Sequence, residues 1–421
     1  MGHGLDADLE AYYRGAGLAY KGGVERAFSA TGEPPANPFA LIILLFGSTI
    51  SALAFVTVTP GLPRIAAYFA VPGDDNMLRA QFVLTMAPIG MAFGGLVGGW
   101  LISQAGLRRA LFAGLVGCTV FGMAPLVLDD LYAIYAVRFL LGWSAVTVDV
   151  CLTTILSARF EGDRRAKLIG IKQAVGSSFT FGGMIVSGFL VQAFSWRAPF
   201  WIFGIAFLYL AIAASVFRAP ISQSRRAPVD WAVIAGFWPL YAAVVLLAVA
   251  HTMPHFELPF LLAADGMKNA AEISWFPATS SLISILSAAS FGWIYARAGR
   301  WTLVGALILM GTSLAAIGVA PSLALLFASV VIEGFGGGLM LPFLSTRVLE
   351  KAPSEQRSQA FGLLLSIMFI GQFFNPLVNK PLRDFFGIHD AFVAVGGALV
   401  AAALALALAG RRPVMVRPAD L

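Results

Sequence analysis

Charge is what this chain has least of. Lys, Arg, Asp and Glu make up 12% of its 421 residues, against 59% for the apolar types. A soluble domain carries about a quarter of its residues as charges, so a water-soluble globular fold is excluded. Cysteine is nearly absent too. Cys118 and Cys151 stand alone inside apolar segments with no CxxC spacing, which gives no basis for a disulfide framework or a cysteine metal site. Both read as small buried apolar residues. Histidine occurs only at His3, His251, His255 and His389, and none pairs with a nucleophile. His251 and His255 have a metal-like i, i+4 spacing but lack a third ligand nearby. No Gly-x-x-x-x-Gly-Lys-[Ser/Thr] loop is present, which argues against ATP drive within this chain. No cofactor and no metal are expected.

Apolar runs of membrane-spanning length are abundant. At about 20 residues per crossing, spans are expected near 38–60, 80–103, 109–127, 131–157, 168–192 and 199–217. A second six are expected near 231–256, 273–296, 301–319, 322–346, 358–379 and 390–410. The mean hydropathy of +0.82 agrees with an integral membrane protein. The expected organisation is a cytoplasmic tail over 1–36, six helices within 37–218 and a polar linker over 219–230. Six more helices follow within 231–410, then a tail over 411–421. The first tail has no basic start leading into an apolar run, so it does not read as a signal peptide. A short surface helix is expected there around 9–13.

The net charge of +6 does not point to nucleic acid, because the basic residues sit between apolar spans and form no face. Arg108, Arg109, Arg159, Arg164, Arg165, Lys167, Arg218, Arg225, Arg226, Arg297, Arg300, Arg347, Lys351 and Arg357 fall on one side. Arg64, Arg79, Arg197, Lys268, Lys380 and Arg383 fall on the other. Positive charge is retained inside the cell, which places both termini in the cytoplasm and the protein in the plasma (inner) membrane.

One loop organises the chain and occurs twice. Gly-Trp-Leu-Ile-Ser-Gln-Ala-Gly-Leu-Arg-Arg at 99–109 returns as Gly-Trp-Ile-Tyr-Ala-Arg-Ala-Gly-Arg-Trp at 292–301, with both glycines displaced by 193 residues. Each copy lies between two apolar spans, so the chain reads as a duplicated membrane protein. Further matches support the repeat: Arg165 and Gly170 with Arg357 and Gly362, Phe200 with Phe392, and Arg138 and Gly142 with Glu333 and Gly337.

The loop resembles the Gly-x-x-x-Asp-Arg-x-Gly-Arg-Arg signature of the major facilitator superfamily. The first copy keeps Gly99, Gly106 and Arg108, with Ser103 and Gln104 in place of Asp-Arg. The second keeps Gly292, Arg297, Gly299 and Arg300, with Ala296 in place of the acid. The resemblance implies an all-α membrane fold of two pseudo-symmetric six-helix bundles, and these loop residues as part of its conformational machinery. The family's ion-pair latch is not carried over, since both copies lack its acid. Arg138-x-x-Leu-Gly resembles the family's Arg-x-x-Gln-Gly in span four, whose arginine is associated with proton coupling; Leu141 replaces the glutamine. Gly182 and Gly183 match the end of the Gly-Pro-x-x-Gly-Gly element of antiporters, but Ser178-Phe179 stands where Gly-Pro belongs.

Ionisable residues at membrane depth need a partner or a wet cavity. Arg138 and Asp149 share one helical stripe, about 16 Å apart. Glu333 lies mid-span, followed by Gly334, Gly336, Gly337 and Gly338, which would permit a bend or close approach of a ligand. Burial penalises its charged form, as suits a proton carrier. Arg138, Glu333 and Asp149 are therefore the candidate coupling residues. The static alternative is that Arg138 pairs with a backbone carbonyl or with Glu333. Lys172 is either a substrate contact or snorkels to the interface. Further cavity candidates are Phe55, Trp143, Trp238, Tyr241, Ser284 of the stripe Ser280–Ser284–Ser287, and Gln372 and Asn375 of the stripe ending at Asn379. Such polar residues serve equally as packing contacts. His251 and His255 read as a solvated extracellular rim, with His255 and Glu257 as a possible pH-sensitive gate.

The function expected is a monomeric secondary transporter of a small organic solute, working by alternating access in the lipid bilayer and coupled to protons. Export of an amphiphilic compound leads. Uptake of an organic anion held by Arg138 and Lys172 comes second, and a non-transporting membrane enzyme or sensor is the alternative of another class.

Overall fold

The computed structural model describes residues 38–47, 49–160, 162–217, 238–351 and 357–409. Both expected tails and the linker lie outside them. Twelve helical segments among the described residues are long and apolar enough to cross a membrane. Span 1 is assembled from Pro38–Phe46, Thr49–Val56 and Leu62–Tyr68, with a 3-10 turn at Thr59–Gly61. Pro60 and Pro63 account for that interruption, since proline removes a helical N–H. Spans 2 to 5 are Asn76–Ala105, Leu107–Met123, Leu131–Arg159 and Gly162–Ala193; span 6 is a 3-10 turn Ala198–Gly204 that continues as Ile205–Val216. Spans 7 to 12 are Trp238–Ala264, Ala270–Ala298, Trp301–Gly318, Leu323–Lys351, Arg357–Phe386 and Ile388–Ala409.

Span 7 continues through Pro254 and Pro259 to Ala264, and span 11 through Pro376 and Pro381 to Phe386. Both outrun their expected ends. Prolines are tolerated in membrane helices where neighbours satisfy the freed carbonyls.

The repeated loops share a glycine at positive φ. Gly106 begins span 3 at φ 83°, and Gly299 ends span 8 at φ 51°. These positive φ values disfavour any side chain, which explains why Ala-Gly recurs at the same spacing. We call this the loop end of the molecule and the opposite one the far end.

Two cores form. One joins Ile43, Leu84, Leu115, Leu152 and Phe200; the other joins Met253, Leu307, Met310, Leu344 and Phe392. Small residues bring helices together within each half. A Cβ at Gly90 or Gly142 would collide with backbone across the span 2–span 4 contact, and one at Gly334 or Gly338 with span 8. Between halves, span 2 packs on span 11 and span 5 on span 8.

Candidate functional site

Arg138 is fully buried. Its Nε donates to the Val83 carbonyl at 2.9 Å, its Nη2 donates to the Ala54 carbonyl, and its guanidinium lies 6.0 Å from the Phe200 ring centroid. All these partners belong to the N-terminal half. Glu333, also fully buried, occupies the matching place in span 10. Its Oε1 lies 3.0 Å from His251 Nδ1 of span 7, and its Oε2 accepts from Ser280 Oγ of span 8 at 2.7 Å. Of the two static partners considered for Arg138, the structure has the backbone carbonyls and not Glu333, so each charge finds its partners in its own half.

His251 is not on a solvated rim. It lies midway along span 7, where Gly337 clears the space its imidazole fills; a Cβ there would collide with the ring. His255 stands one turn on, its ring 6.3 Å from that of His251. The glycine run after Glu333 thus admits neighbours: Gly334 and Gly338 fit span 8, Gly336 fits span 9 and Gly337 fits His251.

Lys172 does not snorkel. It is buried, and its Nζ donates to Asp149 Oδ1 and to Thr153 Oγ1, both at 2.6 Å. The Asp149 side chain is 36% exposed, leaving this carboxylate accessible while the ammonium is enclosed. Ser284 and Ser287 donate to the Gly334 and Phe335 carbonyls at 2.9 and 2.5 Å, tying span 8 to span 10. Asn375 Nδ2 donates to the Val249 carbonyl at 2.7 Å and Thr252 Oγ1 at 3.1 Å, tying span 11 to span 7. Gln372 is buried one turn away. Trp143 packs against Phe93 at 5.2 Å and faces Gly94 between spans 2 and 4. Tyr241 is buried, Phe55 half-buried and Trp238 exposed.

At the loop end, Gly99 and Gly292 lie within helices. Arg108 lies over the Phe112 ring, Arg297 over Trp293 at 4.0 Å and Arg300 over Trp301. Among the described residues, no group of three or more His, Cys, Asp or Glu is arranged to hold a metal ion.

The far end holds a network that sequence reasoning missed. Asp75, just before span 2, lies 3.0 Å from Lys380 Nζ and 3.1 Å from Arg383 Nη2 of span 11. Arg383 Nη1 reaches Glu257 of span 7 at 3.2 Å, and Gln81 Nε2 donates to Glu257 Oε1 at 3.0 Å. These contacts bridge the halves, joined by Ala270 N–H donating to Gln192 Oε1 at 3.1 Å. Burial alone would raise the Asp75 pKa, but the Leu78 N–H and the two cations outweigh it and hold the carboxyl below its ordinary value. Lys380 and Arg383 were placed in a loop because span 11 was ended at 379. Their i, i+3 spacing, with Asp384 four residues after Lys380, was the available sign of a longer helix. Glu257 was expected to gate with His255; its partners are instead Gln81 and Arg383.

The Major Facilitator Superfamily model matches residues 44–264 and 240–420. The chain belongs to this superfamily of membrane transporters. It is 30% identical over 167 residues to the multidrug resistance protein Stp of Mycobacterium tuberculosis, covering 38% of this chain and 30% of Stp, so the match spans under a third of that protein's length. It is 26% identical over 369 residues to the putative multidrug resistance protein MdtD of Serratia proteamaculans, covering 87% of this chain and 69% of MdtD. The crystal structure of a peptide transporter POT in complex with sulfate superposes with TM-score 0.73 at 16% identity, over 92% of this chain and 98% of that one. That likeness is one of fold. The protein is an integral membrane transporter of this family, not an enzyme.

Proposed function

We propose that this transporter exports amphiphilic organic compounds in exchange for protons, with Glu333 and His251 as the proton-linked pair. One observation carries the reading: a fully buried mid-span carboxylate is held by a second titratable group rather than by a fixed charge. Such a pair can hold one or two protons, so proton uptake changes the charge between spans 7 and 10. Arg138 serves the N-terminal half as a structural tie. The 37–218 and 231–410 bundles would move as the two rocking bodies. With the loop end in the cytoplasm, the far-end network ties the two halves together on the extracellular side.

The names of Stp and MdtD support a multidrug substrate range. Uptake of an organic anion is the weaker reading, because Lys172 is paired with Asp149 and Arg138 spends Nε and Nη2 on carbonyls, leaving only Nη1 without a partner. Asp149, partly exposed, is ion-paired with Lys172, so the contacts proposed for an amphiphilic compound are the aromatic candidates Trp143 of span 4 and Tyr241 of span 7.

The test is flux in proteoliposomes with an imposed pH gradient, using ethidium and a panel of fluorescent amphiphilic cations beside the aromatic carboxylates niacin and 4-hydroxybenzoate. Gradient-driven cation accumulation is expected. Carboxylate transport without cation transport would overturn the reading. Orientation is tested by impermeant thiol labelling: Lys268→Cys should react from outside and Arg225→Cys should not.

A further inference from the structure

At the loop end of the C-terminal half, spans 7, 9, 10 and 12 leave a cavity of about 360 Å³. Its walls include Leu303, Val304, Phe343 and Leu406, while Arg300 and Arg347 bring two guanidiniums to it. We propose that this cavity binds an anionic phospholipid, with the phosphodiester on the arginines and an acyl chain along the apolar wall.

Four observations meet here. Arg347 donates to Glu350 Oε2 at 3.1 Å, and Tyr295 OH donates to the other oxygen of that carboxylate at 3.2 Å. A guanidinium carries five N–H donors, so the Glu350 bond does not exhaust it. Span 9 begins at Trp301, directing the positive end of its helix dipole toward the same place. Trp301 is 43% and Leu406 47% exposed, which gives the cavity an aromatic rim and an apolar approach on the surface the bilayer covers. Tryptophan at such a rim suits the headgroup level of a membrane, and basic pockets between spans recognise anionic headgroups. A free phosphate would leave the apolar wall unused. The N-terminal half does not repeat these residues: at the 193-residue offset, Leu107, Arg108 and Thr154 stand opposite Arg300, Trp301 and Arg347.

The test is native mass spectrometry of the full chain in detergent, titrated with phosphatidylglycerol or phosphatidylcholine, with inorganic phosphate as competitor. Phosphatidylglycerol should be retained at about tenfold lower concentration than phosphatidylcholine, and phosphate should not displace it. The double variant Arg300→Gln, Arg347→Gln should bring the two lipids level. Val304→Phe, which fills the cavity and keeps both arginines, should do the same. Equal binding of the two lipids by the unaltered protein would overturn the proposal, as would undiminished phosphatidylglycerol preference in either variant. Displacement by phosphate would also overturn it, by showing that a free anion is the ligand.

Discussion

The fourth helix of each half buries one charge at matching positions of the repeat, and the surroundings differ in kind. Arg138 is bound by the carbonyls of Val83 and Ala54. An arginine stays protonated in proteins and carbonyls do not titrate, so nothing at that place can change charge. Glu333 is bound by His251 and Ser280, and two of those three groups exchange protons. Duplication supplied one architecture twice. The difference lies in the partner, and in Gly337, which admits the histidine, where the N-terminal half has Gly142 packed on the backbone of Ala87.

The comparison breaks most sharply at Glu333. Glu333→Gln should abolish pH-gradient-driven accumulation of a transported cation while leaving exchange without a gradient comparatively intact. Wild-type accumulation in that variant would remove the coupling role and make Asp149 the next candidate. Arg138→Ala should act on stability instead, by about 1–3 kcal/mol for the acceptors it abandons, read as a lower unfolding temperature in detergent. The folded fraction should remain coupled; a stable but uncoupled Arg138→Ala protein would reverse the roles of the halves.

A smaller effect is expected at the far end. Asp75→Asn removes two ion pairs across the halves, and about 1 kcal/mol, roughly a fivefold shift in the closed–open equilibrium, is the expected scale. The sign of its pH dependence follows from the lowered Asp75 pKa. The closing contribution is fully present above the unpaired aspartate value and is lost as pH falls through the lower, paired one. The far-end closure that depends on Asp75 should therefore be insensitive to pH near neutrality. If Asp75→Asn removes a conformational response near neutral pH, the gate rather than the Glu333 pair senses protons. Distance measurements across the far end at several pH values decide this.

Much of the fold could be read from the sequence because membrane helices announce themselves by length and apolarity, and the duplicated loop by Gly106 and Gly299, whose backbone angles demand glycine. Glu333 also stood out, as a lone mid-span acid. Its partner did not. A span 7 that ends at 256 puts His251 near the rim, whereas the helix runs through Pro254 and Pro259 to Ala264 and leaves His251 midway along it. Arg138 and Glu333 invited pairing by charge alone, yet nothing in one dimension shows that each half can satisfy its own charge. The serine stripe of span 8 has the right periodicity, but its hydroxyls are spent on Glu333 and on span 10 carbonyls, a destination fixed only by three-dimensional register.

Proton sensing at the Glu333–His251 pair, and not at Arg138, makes the conformation respond to pH. It is tested most directly without any substrate, by spin labels on Val127→Cys and Phe385→Cys in a background carrying Cys118→Ala and Cys151→Ala. Both label sites are at the far end, one in each half, and are 80% and 83% exposed. The inter-label distance distribution should shift between about pH 5 and pH 8, the range in which histidine changes charge. It should stop shifting in Glu333→Gln and continue to shift in Arg138→Lys. A pH response that survives Glu333→Gln unchanged, or is lacking in the unaltered protein, would contradict the account.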